Sequence, residues 1–158
     1  MKLMKTIVFK IGLLMLFILM VRTGCEKTNE NGEYADVEYF KFSDFGCETG
    51  DSWYLRPGYV GKNYIIRSQQ EFEECIAIEC NPQIDFSNFV LLIGVKLFNS
   101  GALLFNEMVQ ENNSEVIYTI TFLKDESTVA LGIPYHSIVR KPLNGKSIRI
   151  VEIVKETL

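Results

Sequence analysis

Between residues 89 and 155 the chain is one apolar or alternating run after another, parted only by short stretches rich in Asn, Ser, Gly and Pro. Val90-Leu91-Leu92-Ile93-Gly94-Val95 has no polar face, so residues 89–98 read as a central strand buried on both sides. Asn99-Ser100-Gly101 turns the chain into 102–111, and Asn112-Asn113-Ser114 turns it again into 115–123. In that run Val116, Tyr118, Ile120 and Phe122 alternate with Ile117, Thr119, Thr121 and Leu123, the period of two that a strand imposes. Residues 128–133 and 135–140 read as extended on either side of Pro134, which breaks them apart. Ile148, Ile150, Glu152 and Val154 alternate in a last strand over 147–155. Connections this short favour antiparallel neighbours, so an antiparallel meander is expected.

The earlier residues are more mixed. Residues 35–44 alternate as a strand, 46–61 read as a loop carrying Trp53, Tyr54 and Tyr59, and 63–67 form a short apolar strand. Ser68-Gln69-Gln70-Glu71 is a capping box, which starts a helix running to about residue 78 with Phe72, Cys75 and Ile76 on one face. Asn81-Pro82 stops it, since proline lacks the amide a helix needs. One helix early and five or so strands late give an α+β fold, predominantly an antiparallel β meander in one sheet or a small sandwich. At 158 residues and 47% hydrophobic, the chain suits a single domain with a core of its own.

Residues 1–24 are expected to lie apart from that domain. Lys2, Lys5 and Lys10 precede an apolar run over 11–21, which as a helix rises only about 16 Å, too short for a bilayer core of roughly 30 Å. A short apolar run with basic flanks reads as a secretory signal, with an uncleaved N-terminal anchor helix as the alternative. Its end, Met20-Val21-Arg22-Thr23-Gly24-Cys25, resembles a bacterial lipobox, in which the cysteine is lipidated and becomes the first residue of the mature protein. The resemblance implies a lipid anchor at Cys25, a tether over 25–34 and a folded domain over 35–158. Without Lys2, Lys5, Lys10 and Arg22 the basic count falls to 12 against 20 acidic residues, a net charge of −8. Such a domain is repelled by anionic headgroups, so the anchor and not surface charge would hold it at the membrane. Glu26, close behind the cysteine, resembles the surface-export signals of Bacteroidetes lipoproteins, so the expected place is the cell envelope, anchored to the outer membrane.

With Cys25 assigned to lipid, Cys47, Cys75 and Cys80 remain in an oxidising compartment, and three cysteines permit one intramolecular bridge in three pairings. Cys75 falls on the apolar face of the helix, whereas Cys47 and Cys80 lie in loop-like stretches and are the chosen pair. The spacing does not suit a zinc site, and no metal or cofactor is expected.

Three short motifs carry a wider resemblance. Tyr64-Ile65-Ile66-Arg67-Ser68-Gln69-Gln70-Glu71-Phe72, Ile84-Asp85-Phe86-Ser87 leading into the first central strand, and Pro134-Tyr135-His136 with its closing Pro142 are similar to segments of the PrcB-like family. That family comprises small bacterial lipoproteins related to a protease-complex accessory subunit. The resemblance implies a β-rich, non-catalytic domain that binds and stabilises a secreted protein partner such as a protease. Family members favour a Thr-Gly-Gly-Tyr turn after the first central strand, where this chain has Asn99-Ser100-Gly101-Ala102.

Chemistry has few footholds. His136 is the only histidine, no nucleophile elbow accompanies it, and Ser137 beside it points to the opposite side of a strand. Glu71, Glu73, Glu74 and Glu79 read as the solvated face of the helix. No phosphate loop, dinucleotide fingerprint or basic run is present, which argues against nucleotide and nucleic-acid binding. A non-enzymatic binding role is therefore expected, with a glycan-binding module using the loop aromatics as the alternative and a small hydrolase using His136 as the remoter one. Trp53 and its neighbours either face a ligand or cover an open face of the sheet. Asn99, Ser100 and Gly101 at a turn, and Pro134, Tyr135 and His136 at a strand edge, are expected to form a surface for a protein partner.

Overall fold

The computed structural model describes residues 32–48, 52–125, 130–142 and 145–156. These hold β1 (Ala35–Asp36), β2 (Trp53–Leu55), β3 (Asn63–Ile66), α1 (Gln69–Cys75), β4 (Ile76–Ile78), β5 (Phe89–Phe98), β6 (Ala102–Glu111), β7 (Glu115–Lys124), β8 (Leu131–Arg140) and β9 (Ser147–Glu156). The signal and lipobox segments, Cys25 and most of the tether lie outside the described residues.

The strands form a three-stranded sheet in the order β3-β5-β8, a four-stranded sheet in the order β1-β6-β7-β9, and a two-stranded ribbon of β2 and β4. Every pairing is antiparallel except β7 with β9. A parallel pair needs a long crossover, and β8, running in the other sheet, supplies it. Of the successive long strands only β6 and β7 pair as a hairpin, so the expected meander holds there alone. The other short turns carry the chain between sheets instead of along one.

β5 is buried on both faces, as its unbroken apolar run requires. Val90 and Leu92 join Val109, Val116, Tyr118, Ile120, Phe122, Tyr135 and Val139 in a core shared by the two larger sheets. Leu91 and Ile93 point the other way, into a second core with Phe42, Leu55, Ile66, Phe72 and Ile76. Phe42, Leu55, Phe72 and Ile76 thus cover the face of the β3-β5-β8 sheet that the larger core leaves free.

Local departures from the expected elements have local causes. Ser68 Oγ accepts from Glu71 N as the helix cap requires, but Glu71 Oε2 reaches one residue further back, to Arg67 N at 2.6 Å. α1 ends at Cys75 and not near 78, because Ile76–Ile78 pairs with Trp53–Leu55 inside the stretch expected to be a loop. The expected strand over 35–44 splits. β1 pairs with the end of β6, Val37 N donates to Val109 O, and Phe40 exchanges both backbone hydrogen bonds with Ile138. The segment therefore crosses from one sheet to the other before a 3-10 turn, Phe42–Phe45, which Gly46 ends at a φ of 91° that favours glycine. Pro134 does not break β8, which runs through it.

Candidate functional site

β8 is an edge strand by hydrogen bonding, since the sheet order leaves β5 as its only long neighbour. Ile138 turns its N–H and C=O outward to Phe40, so the period of two places Pro134, with no N–H to offer, on the same outer margin. The side chains of β8 are another matter. Tyr135 is 1% exposed, and its hydroxyl is bonded to Asn63 Oδ1 and Glu152 Oε1. His136 stacks on Phe42 with ring centroids 4.1 Å apart and meets the edge of Trp53 at 5.4 Å. Phe42 N donates to His136 Nε2 at 3.2 Å, which occupies the lone pair a general base would use. Burial, reinforced by the Lys41 charge, lowers the His136 pKa to about 3, so the ring is neutral at pH 7. Tyr135 is therefore a core residue, and His136 is half-buried with its ring packed on Phe42 and Trp53. Both faces of β8 are covered here, and its outer margin is occupied too, His136 O by Lys41 Nζ and Ile138 by Phe40.

Trp53 and Tyr59 likewise pack against the second core, Trp53 on Phe42 and His136, Tyr59 on Tyr64. Tyr54 alone of the three is exposed, at 63%. A stacking platform for sugars is not assembled from these rings.

The expected turn joins β5 to β6. Asn99 is exposed, Ser100 is half-buried, and Gly101 is buried with its carbonyl accepting from Asp125 N at 2.9 Å. Around it stand Leu97, 57% exposed, and Phe105, 58% exposed. Gly132 lies across from Leu97 in the β5–β8 register, and Gly61 approaches Leu97 from the loop that also carries the exposed Val60. Phe105 is the extra residue of a β-bulge, where the β6–β7 register shifts between Leu104 and Asn106. The segment 37–41 pairs with only the far parts of the β6 and β8 margins, and among the described residues no backbone hydrogen bond joins another strand to these margins beside Phe105 and Pro134. Sequence reasoning missed Leu97 and Phe105. A signal existed for Phe105: the apolar triplet Leu103-Leu104-Phe105 ends the alternation in one phase, and Val109 resumes it in the other.

Cys47 and Cys80 are joined by a disulfide with Cα atoms 5.5 Å apart, and Cys75 is a buried free thiol whose pKa burial pushes up. The bridge ties the 3-10 turn to the chain just beyond β4. Close by, two shallow depressions of about 350 and 230 Å³ share Gln69 and Asn81, the larger bounded by Gln83 and Asp85, the smaller by Arg56 and Glu73. Asp85 itself accepts from Ser87 and Asn88, bonds that hold its carboxyl below the usual range and use its oxygens within the turn. Among the described residues, no group of three or more His, Cys, Asp or Glu is placed to hold a metal ion, and no helix is long and apolar enough to cross a membrane.

No known protein family, no curated protein and no solved structure matches this chain.

Proposed function

We propose that the protein is a lipid-anchored, non-catalytic accessory protein of the cell envelope, which binds a protein partner through the open end beside the 99–101 turn. The observation that carries this reading is that exposed Leu97 and Phe105 flank the 99–101 turn in the chain, while among the described residues no strand pairs with the near parts of the β6 and β8 margins. Apolar side chains flanking open strand edges suit a partner that adds an extended segment, whose main chain supplies hydrogen bonds and whose side chains find the apolar flanks. The lipobox-like ending at Cys25 supports placement in the envelope, and the Cys47–Cys80 bridge supports an oxidising compartment. We read the two larger sheets, with their shared core, as a small sandwich of the kind the PrcB-like resemblance implies.

The test is site-specific photocrosslinking in the native envelope from position 97 or 105, with position 54 as control. Partner capture from 97 and 105, lost in Leu97→Asp and Phe105→Asp proteins of unchanged melting temperature, supports the reading. Capture confined to position 54 assigns the partner, or a glycan, to the β2 ribbon instead. Loss of fatty-acid labelling in Cys25→Ser tests the anchor separately.

A further inference from the structure

The outer face of the β1-β6-β7-β9 sheet belongs to neither core. Val116, Tyr118, Ile120 and Phe122 point inward, so the period of two turns Ile117, Thr119, Thr121 and Leu123 to the other side, where Thr121 is buried and the other three are half-buried. The register brings Met108 and Val151 alongside Thr119, and Asn106 and Ile153 alongside Thr121. These two rows carry no charge. Charged side chains flank them, Arg149 beside Ile117 at one end and Lys155 beside Leu123 at the other. Ile153 at the β9 edge is 39% exposed.

The chain also enters the domain on this face. Asp36 accepts from outward-facing Gln110 at 3.0 Å, and Tyr34, two residues earlier, points to the same side. The Tyr34 hydroxyl donates to Glu115 Oε1 at 2.5 Å, and Glu115 Oε2 accepts from Arg149 Nε at 3.2 Å. Tyr34 is the ninth residue after Cys25. Nine residues span at most about 30 Å. The ten residues of β9 alone extend about 33 Å. A lipid at Cys25 would therefore keep Tyr34, and the face that carries it, within the length of one strand of the bilayer.

We infer that in the anchored protein the outer face of the β1-β6-β7-β9 sheet rests on the membrane surface, with Met108, Ile117, Val151 and Ile153 set against the acyl boundary of a zwitterionic lipid layer. This rests on the reading of Cys25 as the lipidated residue. The net charge of −8 after residue 24 selects against anionic headgroups, so neutral lipid is the chemistry the face fits. Apolar side chains at the centre of the face and charged ones at its ends match an element lying in the interface and not crossing it.

The test uses the full-length lipidated protein in phosphatidylcholine vesicles, with and without brominated acyl chains. Trp53, half-buried in the second core, gives the reference emission in wild type. In Ile153→Trp, and independently in Val151→Trp, the added emission should shift to the blue and fall about twofold or more in brominated vesicles, while wild type stays unquenched. Mass spectrometry on the same samples reports whether Cys25 carries lipid. Unquenched emission from both variants with Cys25 lipidated overturns the inference and leaves the anchor standing. Unquenched emission with a concentration-dependent dimer that Val151→Asp dissolves also overturns it, assigning the face to a second copy of the chain. An unlipidated Cys25 removes the anchor reading, and the inference falls with it.

Discussion

Glu107 and Glu152 stand in one row across the four-stranded sheet, on either side of Ile120, and both turn toward the space between the two larger sheets. Strand spacing puts their Cα atoms about 10 Å apart. Each is met by a lysine from outside its own strand and by a buried tyrosine hydroxyl. Lys41 Nζ lies 2.7 Å from Glu107, which also accepts from Tyr118, while Lys96 Nζ lies 2.7 Å from Glu152, which also accepts from Tyr135. Lys41 also donates to His136 O on β8 and Lys96 belongs to β5, so each carboxylate fastens one margin of the four-stranded sheet to the three-stranded one. Inward charge is tolerable here because every partner is present.

Removing both partners should therefore cost less than the two single losses added together. Glu152→Gln or Lys96→Met should each destabilise by about 1–3 kcal/mol in urea titrations, and the double variant by less than the sum. Burial would raise the Glu152 carboxyl, but hydrogen bonds from Lys96 and Tyr135 outweigh it and hold the pKa below the usual value. A depressed carboxylate stabilises above its unfolded pKa, and that contribution is lost as pH falls through the folded one. Below about pH 4.5 the wild type should thus lose stability more steeply than Glu152→Gln. Parallel acid titrations would sink the assignment.

His136 governs a different window. Its pKa falls from 6.5 to about 3 on folding, so between these values the unfolded chain binds a proton that the folded one refuses. Stability should fall by about 1.4 kcal/mol per unit as pH drops from 6.5 toward 4.5, before the carboxylates titrate. His136→Phe, with no ring proton to take up, should be flat over that range. Denaturant midpoints at half-unit pH steps make the comparison.

Gly94 is required by Tyr135. A Cβ at position 94 would collide with the Tyr135 hydroxyl and stand 2.8 Å from Asn63 Oδ1, inside the cluster that Glu152 completes. Gly94→Ala should destabilise by about 1–3 kcal/mol, read as a lowered urea midpoint at unchanged slope. A neutral outcome would show that the tyrosine has room to move.

The disulfide closes a loop of 33 residues, for which chain entropy gives about 4 kcal/mol. Cys47→Ala with Cys80→Ala should lower stability by an amount of that order while keeping the strand content seen by circular dichroism. Cys75 should resist alkylation in the native protein and react after unfolding, because it is buried and its thiol pKa is raised. Rapid native alkylation of Cys75 would contradict its place in the core.

Long strands were legible in the sequence where one rule decided them. The unbroken apolar run at 90–93 could only be buried on both faces, and the alternation over 116–123 could only be a strand with two unlike sides. Which strands pair was not legible, because an Asn-Ser-Gly turn looks the same whether it joins neighbours in one sheet or carries the chain to another. β2 was hidden for a similar reason: three residues between Ser52 and Arg56 show no period, and only Ile76–Ile78 opposite makes them a strand. At the proposed partner site, Pro134 was readable as an edge residue from its missing amide. The burial of Tyr135 and His136 was not, since it depends on Phe42, Trp53 and Glu152 arriving from elsewhere in the chain.

The crossing segment at 35–41 has a consequence for timing. Lys41 and His136 meet across 95 residues, so the first part of the domain to be synthesised is among the last to find its place. β9 must likewise wait for β8 before it can lie along β7. A chain closed by its own two ends has few local contacts to reward early order, and such topologies fold slowly.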